Sequence, residues 1–494
     1  MELQVSTVKS SPPSQLKGLS PDRAIEPTER KEIIVGILVA MFLAALDQTI
    51  VAPALPTIGF SLGHAEYLSW IVTAYLLTAT AVTPLYGKLA DLRGRRPVIL
   101  GAIGIFIVGS IVSAVAQSMF MLIIGRAIQG VGGGGLSALA TTVIGDLVPP
   151  RERGQYQGYI SGMWGFASLA GPVVGGFLAH NLHWSMIFWI NLPLGALAVA
   201  VLNKPLKKLA TARSKHKLDL PGSGLVILAT TSLMLLLTWG GSRYGWASAQ
   251  ILGLAAASLV FWFLFGLRIR HCDEPILPIE VLKNPVVAAG TTSNSFAMAV
   301  NLGLGVYIPL YMQTVRHLDP TSAGTSLIPL TVSMVCGAAF SGWMTTRLQH
   351  YKRIALIGLT TATLGLFWLA ACASELPFFW LEFVLMVIGA GIGTTFPLVV
   401  VCVQNAVDPA HLGVATGALT FLRSLGGAMG VSILGTICLS YGFAQNAGNA
   451  KGLINFEPQA EAAFSGIFLA AGIGLLIANV FLFLMEEKPL RSTH

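Results

Sequence analysis

Gly87-Lys88-Leu89-Ala90-Asp91-Leu92-Arg93-Gly94-Arg95-Arg96 puts five charged residues into ten positions, in a chain of 494 residues where only 11% are charged. Both flanks are apolar, residues 68–87 before the turn and 97–117 after it. Each flank is about 20 residues long, the length an α-helix needs to cross about 30 Å of hydrocarbon. Lipid offers no partner to open backbone groups, so a spanning segment must be a helix or part of a closed barrel. A short charged turn between two such flanks therefore reads as a hairpin of transmembrane helices.

The same pattern runs outward in both directions. Fourteen apolar stretches lie near 33–55, 68–87, 97–117, 120–145, 156–179, 186–203, 219–239, 248–267, 285–312, 322–344, 354–373, 378–405, 413–440 and 462–485. The chain is 54% hydrophobic with a mean hydropathy of +0.72. A soluble protein would have about a quarter of its residues charged. The expectation is an all-α membrane protein of fourteen spans.

A net charge of +8 would also suit a nucleic-acid binder, but its distribution says otherwise. With the N-terminus in the cytoplasm, 25 of the 30 Lys and Arg fall on the cytoplasmic side. Three (Arg243, Arg316 and Lys451) fall outside, and Arg126 and Arg423 lie within spans. This is the positive-inside asymmetry of a membrane protein. It predicts a multi-pass protein of the cytoplasmic (inner) membrane with both termini inside, and membrane lipids rather than nucleic acid as partners. Residues 1–30 are polar and rich in Ser and Pro, which predicts a disordered cytoplasmic tail. The five cysteines show no metal-ligand spacing, the histidines do not cluster apart from His180 and His183 in a loop, and there is no phosphate-binding GxxxxGK[ST]. No metal, cofactor or enzymatic constellation is expected.

Two basic breaks group the spans. One runs from Asn203 to Lys217 after the sixth span, the other from Arg268 to Lys283 after the eighth. The chain thus reads as a six-helix half (31–203), a linker with two extra helices (204–284), and a second six-helix half with a tail (285–494). Ser341 to Arg353 forms a short basic turn at the place in its half that Gly87 to Arg96 occupies in the first. Paired six-helix halves are the pattern of a transporter with its substrate site between the repeats. A membrane sensor would need a soluble signalling domain, and no loop or tail here is long enough to fold as one.

Four motifs carry a resemblance. Gly87, Asp91, Arg93, Gly94, Arg95 and Arg96 match a GxLaDrxGrR loop. Leu46-Asp47-Gln48-Thr49-Ile50-Val51 leads to Ala54-Leu55-Pro56 in the first span. Gly125-Arg126-Ala127-Ile128-Gln129-Gly130-Val131-Gly132 contains RxxQGxG in the fourth. Ala170-Gly171-Pro172-Val173-Val174-Gly175-Gly176 contains GPxxGG in the fifth. Together with Trp189-Ile190-Asn191-Leu192-Pro193-Leu194-Gly195, this resembles the fourteen-span drug:proton antiporters of the major facilitator superfamily. Ser185-Met186 departs from that pattern, where relatives commonly carry Arg and Trp. The resemblance implies the major facilitator fold and multidrug efflux by antiport. It makes Gly87, Asp91, Arg93, Gly94, Arg95 and Arg96 a conformational latch, with Arg423 or its helix serving Asp91. It makes Gly171, Pro172, Gly175 and Gly176 the antiporter motif. It places the central cavity among the first and fourth helices of each half.

Charges in hydrocarbon cost about 2.5–3.5 kcal/mol each on insertion scales and are functional candidates by default. Helical rise places Asp47 about 21 Å from the cytoplasmic face and Arg126 about 9 Å from the outer one. Across about 30 Å those depths coincide. Asp47, Arg126 and Glu382 are the candidates for proton coupling; a purely structural Asp47–Arg126 pair and a headgroup-level Glu382 are the alternatives. Gln48, Tyr75, Gln129, Asn294, Asn301, Tyr307 and Gln313 are the candidate cavity residues. The expected cargo is a small amphipathic compound exchanged for protons, with a periplasmic adaptor as a further candidate partner. A specific metabolite, siderophore or lipid is the alternative cargo, and import the alternative direction.

Overall fold

The computed structural model describes residues 27–64, 67–208, 219–241, 243–272, 275–348, 350–408, 411–440 and 457–490. The expected tail lies outside these residues except for its last four, where the first helix has begun, and most of the 204–217 linker also lies outside them. Fourteen long helices run in chain order: α1 Pro27–Ile50, α2 Leu68–Arg93, α3 Arg95–Ala114, α4 Met119–Leu147, α5 Pro150–Asn181, α6 Asn191–Asn203, α7 Leu220–Trp239, α8 Ala249–His271, α9 Pro285–Thr314, α10 Ile328–Thr345, α11 Lys352–Cys372, α12 Phe378–Ala406, α13 Leu412–Ser440 and α14 Glu457–Leu484. Among the described residues, thirteen segments are long and apolar enough to cross a membrane. The remaining helix, α2, is 26 residues long and carries Thr73, Thr78, Thr80 and Thr83 among its apolar residues. The sixth span is broken: Met186–Trp189 forms a separate turn ahead of α6.

Local signals set the helix ends. Ser118, Asp219, Ser248 and Asn284 accept from backbone N–H groups at the starts of α4, α7, α8 and α9, offsetting donors that the first turn leaves unpaired. Gly94 alone separates α2 from α3, at φ 88°. That left-handed value is open to glycine and costly for a residue with a Cβ, so the hairpin turns on this one position.

The interior is divided. One apolar core joins α9 to α14, and two smaller ones lie within α1 to α6. A fourth cluster is built differently: Val226 and Met234 of α7 and Phe265 of α8 pack with Val414, Ala418, Phe421 and Leu425 of α13, against Leu77 and Leu85 of α2. The two extra helices therefore cover the seam where α2 of one half meets α13 of the other. Across the remaining seam α5 packs on α10. The most apolar window of α12 is 78% buried and that of α8 only 17%, so α12 is a central helix and α8 faces lipid.

Candidate transport site

Between the halves lies a cavity of about 1070 Å³. Its wall comes from α1, α2, α4 and α5 on one side, from α9, α10, α12 and α13 on the other, and from Met234, Leu237 and Thr238 of α7. Towards the end of the bundle that carries the basic turns, the lining stops well inside each helix, at Thr83, Thr141, Gln157, Ala338, Val400 and Leu419. Towards the opposite end it reaches Val72, Leu310, Thr331 and Cys438, within about a turn or so of the helix termini. The cavity thus opens away from the basic end.

The basic end is sealed by backbone meeting backbone. A Cβ on Gly87 would run into the Gly413 carbonyl, and one on Gly154 into the Gly342 carbonyl. Only glycine permits either approach. Arg151 donates through Nε to the Thr346 carbonyl at 3.2 Å, and Gln404 through Nε2 to that of Thr141 at 3.1 Å. Asp91 works at the same level. It accepts from the Val414 N–H at 3.1 Å, in the first turn of α13, where free N–H groups and the helix dipole favour an anion. Arg95 holds it from behind, 2.5 Å from Asp91 and 2.7 Å from Asp146 at the end of α4. Arg96 donates to Asn203 at 2.7 Å, and Arg93 is exposed. Arg423 is not in this assembly. It sits in the cavity wall, and Asp91 instead engages a main-chain donor that leaves no mark in sequence.

Asp47 and Arg126, 79 positions apart, are in contact at 2.5 Å, with 0% and 1% of their side chains exposed. Gln129 donates to the other Asp47 oxygen at 2.7 Å, and Asn191 does so at 2.9 Å. Both amides also donate to Ser110, at 2.7 and 2.9 Å. Arg126 donates further to the Ile71 carbonyl and to Gln129, and its guanidinium lies 4.5 Å from the centre of the Tyr75 ring. A buried ion pair is tolerated when its remaining lone pairs and protons are satisfied, and this one is held by α1, α3, α4 and α6 at once. Arg126 borders the cavity and Asp47 does not, so the arginine stands between the carboxylate and the open space. Just beyond Asp47, α5 closes on α1. A Cβ at Gly171 or Gly175 would strike Thr49 or the Ile50 carbonyl, and Thr49 donates to the Ala167 carbonyl at 2.9 Å. Gly176 and Pro172 face away from that contact.

Of the other expected cavity residues, Gln48, Tyr75, Asn301 and Tyr307 line it. Gln129 is instead buried in the Asp47 network. Asn294 is buried in the second half, and Gln313 is exposed near the end of α9. Glu382 is not brought to Asp47. It lies in the first turns of α12 among the exposed rings of Phe379, Trp380 and Phe383, the composition of a membrane-interface belt. Sequence reading passed over Ser110, Asp146 and the role of Asn191. Asn191 stood inside a quoted motif, and Asp146 is an acid at a span end, but neither has a local pattern that names its partner.

Residues 37–431 match the model of the Major Facilitator Superfamily. The chain belongs to this superfamily. Two relatives from Bacillus subtilis (strain 168) are similar along most of it. Multidrug resistance protein 3 is 32% identical over 90% of this chain and 84% of its own length. The multidrug transporter protein MdtP is 33% identical over 83% and 75%. The major facilitator proton:xylose symporter XylE shares the fold with a TM-score of 0.63, over 92% of this chain and 95% of that one, at 15% identity. The architecture is the superfamily's two six-helix halves with two helices inserted between them.

Proposed function

We propose that the chain is a proton-coupled exporter of amphipathic organic compounds or drugs across the cytoplasmic membrane, with both termini in the cytoplasm. One observation carries the coupling: a fully buried carboxylate, Asp47, one side chain away from the central cavity and held only by donors. In its ionised form Asp47 uses all three. A proton on it cancels the ion pair with Arg126 and turns one oxygen into a donor. The buried Asn191 Oδ1 has no hydrogen-bond partner among the described residues. Half a turn of that amide would offer an acceptor where a donor now points.

The consequence reaches the seam through packing. The Asp47–Ile50 stretch touches Arg126 on α4 and the glycines of α5, and α5 in turn meets α10 at Gly154–Gly342. Protonation that loosens Arg126 thus acts on the helix that closes one end of the cavity. The positive-inside rule puts the basic, closed end in the cytoplasm, so this conformation faces outward, the state that releases cargo and takes up protons. Export rather than import is supported by two further relatives, the efflux pump FUS6 of Gibberella fujikuroi and the efflux pump MMF1 of Pseudozyma antarctica, 33% and 32% identical. Each proton entering down 100 mV supplies about 2.3 kcal/mol.

The test is dye accumulation in energised inverted vesicles, using amphipathic dyes of both charges, with and without a protonophore. Asp47→Asn is expected to lower gradient-driven accumulation at least about 100-fold, since an amide carries no proton, and to spare downhill exchange. Glu382→Gln should stay within about twofold, as for an interfacial carboxylate. Accumulation that survives the protonophore, or normal pumping by Asp47→Asn, would sink the coupling.

A further inference from the structure

The charge on the cavity wall has one sign. Among the described lining residues there are two arginines, Arg126 and Arg423, and no Asp, Glu, Lys or His. Arg126 is neutralised from behind by Asp47. Arg423 is not neutralised at all: among the described residues its guanidinium has no ion pair, hydrogen bond or ring contact. Its nitrogens are not sealed in protein either, so they border the open space. It stands about 16 Å along α13 from the basic end, near mid-membrane, in the half opposite Arg126. A guanidinium left there uncompensated is costly unless the cavity's contents answer it.

We propose that Arg423 is a substrate-recognition residue, and that the cavity selects amphipathic organic anions, a carboxylate or sulfonate on an apolar body, over cations. The guanidinium fork matches two acceptor oxygens at once and stays charged at every working pH. Met234, Leu237, Met298, Leu302, Met334 and Phe396 give the apolar body its surface. A cation entering the same space meets Arg423 with no lining carboxylate to balance it. The inference rests on the cavity being the substrate site, and not on proton coupling or direction. If the coupling holds as well, an anion leaving and a proton entering both run down the inside-negative potential.

The experiment is equilibrium binding to the purified full chain in detergent with no gradient, so its outcome is independent of Asp47. Three matched probes serve: 1-pyrenebutyrate, its primary amide, and the trimethylammonium analogue of the same pyrenylbutyl chain. The expected order is butyrate, amide, ammonium, spanning at least about tenfold, as one uncompensated charge contact would give. Arg423→Gln should bring butyrate down to the level of the amide without moving the amide, which also reports that the cavity is intact. Arg423→Lys should keep the preference for butyrate, and Arg423→Glu should reverse the order. Ammonium binding at least as tightly as butyrate to the unaltered protein overturns the proposal. So does an Arg423→Gln variant that weakens all three probes alike.

Discussion

Asp47 and Asn294 are both fully buried polar side chains on the first helix of their half, α1 and α9. Asp47 is met by three donors, whereas neither polar atom of Asn294 has a hydrogen-bond partner among the described residues. The same contrast extends through the two interiors. The first half is built around an ion pair bound into Gln129, Asn191 and Ser110. The second is one large apolar core, and among its described residues the one lining cation, Arg423, is turned out into the cavity. Two halves of one architecture have thus placed their charge in opposite ways. On the function proposed, the enclosed and satisfied charge holds and releases the proton without meeting cargo, and the unanswered one reads the cargo.

That contrast can be broken most sharply at Arg126. Arg126→Met leaves a buried carboxylate unpaired and is expected to cost about 3–5 kcal/mol in equilibrium unfolding from mixed micelles. The double variant with Asp47→Asn should recover most of that loss, because it removes both charges; no recovery would mean that the pair does not act as a unit. A smaller effect is expected one position deeper in the network. Gln129→Leu takes away a donor to Asp47 and an acceptor to Arg126, and should cost about 1–3 kcal/mol by the same measurement. The smallest effect is expected in the second half. Asn294→Leu removes an amide with nothing to lose and should fall within about 1 kcal/mol of the unaltered protein, on either side. Equal losses for Gln129→Leu and Asn294→Leu would erase the distinction between the interiors.

Much of this is legible in the sequence. The hairpin at Gly87–Arg96 and the order of the spans follow from composition along the chain, and the depths of Asp47 and Arg126 matched by simple rise. The partners of the polar groups were another matter. Ser110 and Asn191 are ordinary residues until α3 and α6 bring them under Asp47. Asp91 answers a backbone N–H at Val414, and a backbone donor has no residue type to read. The family resemblance offered Arg423 or its helix for that latch; the helix meets Asp91 through the Val414 N–H, and packing turned Arg423 itself to the cavity.

What the sequence determined alone is the membrane and the order of the apolar helices along the chain. Partition into lipid depends on apolar character summed over about 20 residues, and the basic turns mark which ends lie together. What only the tertiary structure decided is which face of each helix meets lipid, neighbour or cavity, including the place of α7 in the cavity wall. Lipid and a packed neighbour are about equally apolar, so hydrophobicity does not distinguish one face of a membrane helix from another. That choice is made by shape and by a few polar contacts: Gly87 against Gly413, Gly154 against Gly342, and Asp47 against Arg126.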